Sequence, residues 1–149
     1  MKTTVEIGDA DGFRQQVDAA DRHGHTALMT AAREGNVVEV DDLLSRGASL
    51  SARSEKGKTA LHYAAANGKV VVVQLLLSKG AEVDPRDKEG HTPLMLAANY
   101  GCDLSIQALI RSGADALAMS HAGSTALAYA EQNRHPETLA ILMKALTTN

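Results

Sequence analysis

The chain has no tryptophan, one phenylalanine and three tyrosines, so aromatics make up 3% of its 149 residues. Deep ligand pockets are ordinarily lined with aromatic side chains, and their scarcity argues against one here. Cysteine occurs once, at Cys102. That excludes an intramolecular disulfide and fits a reducing compartment. No run of 18 apolar residues occurs, so no membrane-spanning helix is predicted. The stretch Met1–Asp9 lacks the apolar centre of a secretory signal. A soluble intracellular protein is expected, with cytoplasm and nucleus both compatible. A surplus of one charge sign is also lacking: 15 basic and 18 acidic residues leave −3, which makes no general case for nucleic acid.

What the chain does have is a period. Gly24, Gly57, Gly90 and Gly123 are each 33 residues apart. The same step links Thr26, Thr59, Thr92 and Thr125, and it links Leu28, Leu61, Leu94 and Leu127. It also links Ala31, Ala64, Ala97 and Ala130. One register held through four residue types means stacked supersecondary units, each burying its apolar face against its neighbours. With 44% hydrophobic residues the chain has enough to bury, and its many alanines fit thin, closely packed helices.

Within a unit the signals are ordered. Asp21-Arg22-His23-Gly24 is a turn. Thr26 then caps a helix over about 27–34, and Gly35 ends it in the left-handed conformation. A second helix over about 37–46 stops at Gly47. Val70–Leu77 has the propensity of a strand. Its register with the flanking units nevertheless predicts a helix, because packing outweighs tenths of a kcal/mol per residue. Leu61, Leu76 and Leu77 occupy register positions that should be buried. Pro93 and Pro136 fall where helices begin, the position at which a missing N–H costs least. Ahead of the array, Asp9 to Ala20 reads as a short capping helix, with Asp9 as N-cap and Phe13 and Val17 as apolar contacts. The last unit departs from the pattern: Glu131 replaces an alanine and Arg134 replaces a helix-ending glycine, as a polar C-terminal cap should.

Thr59-Ala60-Leu61-His62-Tyr63-Ala64-Ala65 and Thr92-Pro93-Leu94-Met95-Leu96-Ala97-Ala98 resemble the ankyrin repeat signature. The Leu-Leu pairs (Leu43-Leu44, Leu76-Leu77) and Gly-Ala pairs (Gly47-Ala48, Gly80-Ala81, Gly113-Ala114) extend the resemblance over roughly 21–146. It implies an all-α solenoid of helix pairs with projecting turn fingers. The expected division is a tail and cap at 1–20, repeats at 21–53, 54–86 and 87–119, and a fourth repeat acting as cap at 120–149.

The resemblance also implies protein binding through a concave face of fingers and first helices. Carried over by position, that face comprises Arg22, His23, His25, Arg33 and Glu34 from the first repeat. The second supplies Arg53, Glu55, Lys56, Lys58, Ala66 and Asn67. The third supplies Arg86, Lys88, Glu89, His91, Asn99 and Tyr100, and the fourth Met119, His121 and Ser124. Tyr100 is the expected aromatic anchor. Seven basic residues against Glu34, Glu55 and Glu89 give this face +4, and the turn residues Asp21 and Asp87 lower it to +2. The expected partner is a protein with an acidic surface, bound by an inhibitor- or immunity-type module, with a scaffold subunit as the alternative. Nucleic acid fits less well, since only Tyr100 offers a ring for base stacking.

Chemistry beyond binding finds little support. Gly57-Lys58-Thr59 resembles the tail of a phosphate-binding loop, but that motif needs a glycine where Ala52 stands. His23, His25, His91 and His121 fall on finger positions without a zinc-ligand spacing, so they read as recognition residues rather than metal ligands. His62, within the family signature, is expected to tie neighbouring loops together. Met29, Met95 and Ala128 stand in its place elsewhere, where that link should be missing. Cys102 begins a second helix, a position that lowers a thiol pKa, yet no partner base is implied. No nucleophile, base and orienting group share a recognisable spacing. No catalytic residue, cofactor or metal is expected. One further column, Val38, Val71 and Leu104, is apolar where the family often carries charge. It fits either partial burial between helices or a second contact surface for self-association.

Overall fold

A computed structural model of the protein describes residues 17–148. Among the described residues there are eight helices and no strand. They form four consecutive pairs: α1 (Ala27–Glu34) with α2 (Val37–Ser45), α3 (Ala60–Ala66) with α4 (Val70–Ser78), α5 (Pro93–Asn99) with α6 (Asp103–Arg111), and α7 (Ala126–Gln132) with α8 (Pro136–Thr147). The odd-numbered helices stack in one row and the even-numbered helices in a second row behind them. The valine-rich stretch is helical over Val70–Ser78, as its register predicts.

Each first helix begins in the same way. Thr26, Thr59, Thr92 and Thr125 are N-caps whose side chains accept the N–H of Met29, His62, Met95 and Ala128. Each hydroxyl satisfies one of the donors left bare at a helix start. Pro93 and Pro136 open α5 and α8 as expected. The row of first helices packs through alanines: Ala31, Ala32, Ala64, Ala65, Ala97, Ala98 and Ala130 are all buried. The second row adds Val40, Val72, Val73, Leu76, Ile106, Leu109 and Leu142 to the same core. Leu61 and Leu76 are fully buried, whereas Leu77 is only half-buried, because its side of α4 faces away from the first row.

Between pairs the chain makes four alike fingers. At each tip a glycine N–H returns to a carbonyl three residues back: Gly24 to Asp21, Gly57 to Ser54, Gly90 to Asp87 and Gly123 to Ser120. Gly24 has φ +78, and a Cβ there would lie 2.8 Å from the Glu55 backbone nitrogen. Both facts require glycine. The fingers bond to one another along the array, Glu55 N–H to His23 O at 2.8 Å, Lys88 to Lys56 at 3.0 Å and His121 to Glu89 at 3.0 Å.

The ends differ. The expected N-cap Asp9 and contact Phe13 lie outside the described residues, but Val17 is buried in the core. At the other end Arg134 holds φ 60, among the described residues the one non-glycine in the left-handed region. A Cβ in that region costs about 1–2 kcal/mol. Truncating the buried Leu76 to alanine should lower unfolding stability by about 2–5 kcal/mol in a urea titration followed by helical ellipticity.

Candidate partner-binding face

The fingers and first helices bring eight of the twenty expected face residues together round one hollow. The hollow has a volume of about 680 Å³, and Arg33, Lys58, Ala66, Asn67, Glu89, His91, Asn99 and Tyr100 all line it. Tyr63, Met95, Leu96, Cys102 and Tyr129 line it too. All three tyrosines of the chain therefore meet one half-open hollow, which is not the deep pocket that the low aromatic content argues against. A percentage counts rings but says nothing of where a solenoid gathers them. Arg22, His23, Glu34, Arg53, Glu55, Lys56, Arg86, Lys88, Met119 and His121 are exposed outside the hollow, while His25 and Ser124 are half-buried.

Two of the expected contact cations serve the scaffold first. Arg53 Nη1 donates to Gly57 O at 2.9 Å and to Arg86 O at 2.7 Å. Arg86 Nη1 repeats this one unit on, donating to Gly90 O and Met119 O. Each guanidinium staples its own finger to the next while its charge stays exposed.

Lys58 is also engaged. Its Nζ lies 3.1 Å from Asp87 Oδ2, although off the direction of a well-formed hydrogen bond. The Asp87 side chain is 1% exposed. Burial acts to raise its pKa, but the His91 N–H, the Lys58 ammonium and the Glu89 N–H outweigh that and hold it below the usual carboxylate value. Asp87, Glu89 and His91 place ligand-type atoms within 4.8 Å of one another. Lys58 already supplies the positive charge that a cation would bring to Asp87.

His62 performs the expected tie. Its Nδ1 accepts the Thr59 N–H at 3.0 Å, completing a capping box, so Nε2 carries the proton donated to His91 O at 2.8 Å. The ring is fully buried, and burial pulls its pKa down to about 4. At the last junction, where Met95 lacks this link, His135 and Asn133 supply others. His135 Nε2 donates to Asn99 O at 3.0 Å, and Asn133 Nδ2 to Asn99 Oδ1 at 2.7 Å. These two are absent from the family signature, and only the folded contact reveals them.

Cys102 does not gain the lowered pKa of a helix N-terminus. It is the N-cap residue of α6, but burial and then the Asp103 carboxylate raise its pKa. Its thiol points to Ala66 O at 3.6 Å. Val38, Val71 and Leu104 are not tucked between helices: they are 80%, 54% and 64% exposed.

Stacked helix pairs with hydrogen-bonded fingers and one continuous polar face define a repeat solenoid. The family model for ankyrin repeats (3 copies) matches residues 5–87 and again 82–149, and the chain belongs to the ankyrin repeat family. Such repeats are generally protein–protein interaction modules. No curated protein matches the chain in sequence. Among the described residues no helix is long and apolar enough to cross a membrane.

The buried His62 makes stability depend on pH. Its folded pKa lies below the unfolded value of 6.5, so the unfolded chain binds the extra proton first. Stability is complete above pH 6.5 and falls as pH drops toward 4, by about 3 kcal/mol. His62→Met places there the residue found at positions 29 and 95. It should flatten the pH 4–7 dependence of the melting temperature relative to the parent.

Proposed function

We propose that the chain is a non-enzymatic binding protein whose finger and first-helix face docks an acidic surface of a partner protein and occludes it, as an inhibitor does. The pairing of charges on that face supports this reading. Its acidic groups lie against internal partners: Asp21 by His25, Glu55 by His23, Asp87 by Lys58 and Glu89 by His91. Only Glu34 has none among the described residues. Arg22, Arg33, Lys56 and Lys88 are exposed and make no ion pair among the described residues. The histidines beside Asp21, Glu55 and Glu89 carry charge only when protonated, so the face presents its formal surplus of seven cations over five acids, with Lys58 and Asp87 paired to each other. Such charge raises association rate and specificity more than affinity. A scaffold subunit would use the same face. It differs in binding several partners without abolishing an activity.

The test begins with a partner captured from the native source and identified by mass spectrometry. Lys56→Glu with Lys88→Glu should slow association about tenfold at low salt and flatten its salt dependence. Lys58 is left intact because it neutralises Asp87. An unchanged rate and salt slope would remove this face as the docking surface.

The exposed column Val38–Val71–Leu104 supports a second reading, self-association through the second-helix row. Three apolar side chains repeated on one side are a contact stripe that water leaves uncompensated. Val71→Asp should abolish any concentration-dependent rise in sedimentation coefficient. A parent chain that stays monomeric at all concentrations would end this reading.

A further inference from the structure

Tyr63, Leu96 and Tyr129 share one register position, and the leucine breaks an otherwise regular device. Tyr63 OH donates to Ser54 Oγ at 2.9 Å and lies 3.1 Å from His25 Nε2. Tyr129 OH lies 2.9 Å from Ser120 Oγ and 2.9 Å from His91 Nε2. Both ring pairs are T-shaped, with centroids 5.6 and 5.5 Å apart and planes at 74°. Behind them His25 rests on Asp21 at 3.3 Å and His91 on Asp87 at 3.5 Å. The same histidine–tyrosine–serine relay thus recurs after 66 residues, twice the basic period, while the aspartate hydrogen-bonds its histidine only in the first copy. Each copy fixes a tyrosine ring on the partner-binding face.

Between the two relays both components are missing. Lys58 stands where the histidine would be and turns to Asp87. Leu96 stands where the tyrosine would be and is buried. The hollow opens at this gap: Tyr63 and Tyr129 bound it, and Met95 and Leu96 are among its lining. Its volume of about 680 Å³ falls within the range of about 300–1,000 Å³ typical of clefts that hold organic groups.

We propose that this gap is an anchor pocket for one aromatic side chain of the partner, carried on a segment with a carboxylate beside it. The proposal rests on the partner-binding reading above and specifies what enters the face. An aromatic ring suits the apolar floor at Leu96 and the ring edges at Tyr63 and Tyr129. The relays hold the walls in place before binding, so little side-chain freedom is lost on entry. Arg33 lines the same hollow and has no ion-pair partner among the described residues. Its guanidinium is the natural receptor for the adjoining carboxylate.

The probe is a random peptide display library panned on the full chain, followed by synthesis of the enriched peptides. Leu96→Tyr fills the gap with the residue that the same register carries at 63 and 129. Arg33→Glu changes only an exposed charge, and melting curves verify that both variants fold. Enriched peptides should share an aromatic residue next to Asp or Glu. They should bind Leu96→Tyr about tenfold or more weakly than the parent, as loss of a buried ring requires. Arg33→Glu should weaken them about fivefold, and amide replacement of the peptide acid should remove that difference. No enrichment of aromatic–acidic sequences, or equal affinity for Leu96→Tyr, would overturn the pocket. Peptides that ignore Leu96→Tyr but lose affinity with Lys56→Glu and Lys88→Glu would discard the pocket and leave the docking face standing. Enriched sequences that reproduce a segment of this chain, with self-association lost in Leu96→Tyr, would make a second copy the occupant and overturn an external acidic partner.

Discussion

The close stacking of the first helices through alanine is the constraint on which the rest depends. Ala64, Ala65, Ala97 and Ala98 are completely buried between neighbouring pairs. A methyl group is the largest side chain that leaves helix axes at that separation, and interiors tolerate little volume change. The spacing it sets carries through to the fingers. It lets His62 reach the carbonyl of His91 and Arg53 bridge Gly57 and Arg86. It also aligns the finger backbones so that Glu55, Lys88 and His121 each find a carbonyl in the preceding finger. A larger side chain in the alanine row would break all of these together.

On that regular spacing the sequence places irregular side chains, and the irregularities shape the face of fingers and first helices. The junctions are not tied alike. The first and third use a histidine–tyrosine–serine relay, the second uses the His62 tie and the Lys58–Asp87 pair, and the third adds His135 and Asn133. A solenoid allows this because each unit contacts only its neighbours, so one junction can change its chemistry without disturbing the next. Alternation between relays and gaps turns a flat row of helices into a surface with a hollow and fixed walls. The face is uneven, and Tyr63 and Tyr129 are hydrogen-bonded from behind.

Electrostatics follows the same division. Asp87 is drawn inward under Lys58, while Asp21, Glu55 and Glu89 stay exposed beside histidines, and several cations are left outward. Formal counting gives seven basic against five acidic residues and a modest surplus. The pairing matters more than the count, since a carboxylate buried under an ammonium no longer opposes an incoming acidic surface at full strength.

The fold was legible in the sequence because periodicity is a local property repeated often enough to be unambiguous. The threonine caps, both helix-opening prolines, the helical reading of Val70–Ser78 and the role of His62 could each be placed by register alone. Features made across a junction could not. His135 and Asn99 are 36 residues apart, and the two relays show only at twice the repeat length. Arg53 and Arg86 read as free recognition charges until the carbonyls they staple are in view. The helix start at Cys102 argues for a lowered thiol pKa, and only the fold shows the burial and the nearby Asp103 that raise it. The sequence by itself determined the repeating unit and its two helices, because those rest on hydrophobic pattern and turn chemistry within one repeat. Only the tertiary structure decided which charges are spent, which apolar residues stay exposed and where the hollow opens. Each of those depends on what a neighbouring repeat presents across a few ångströms.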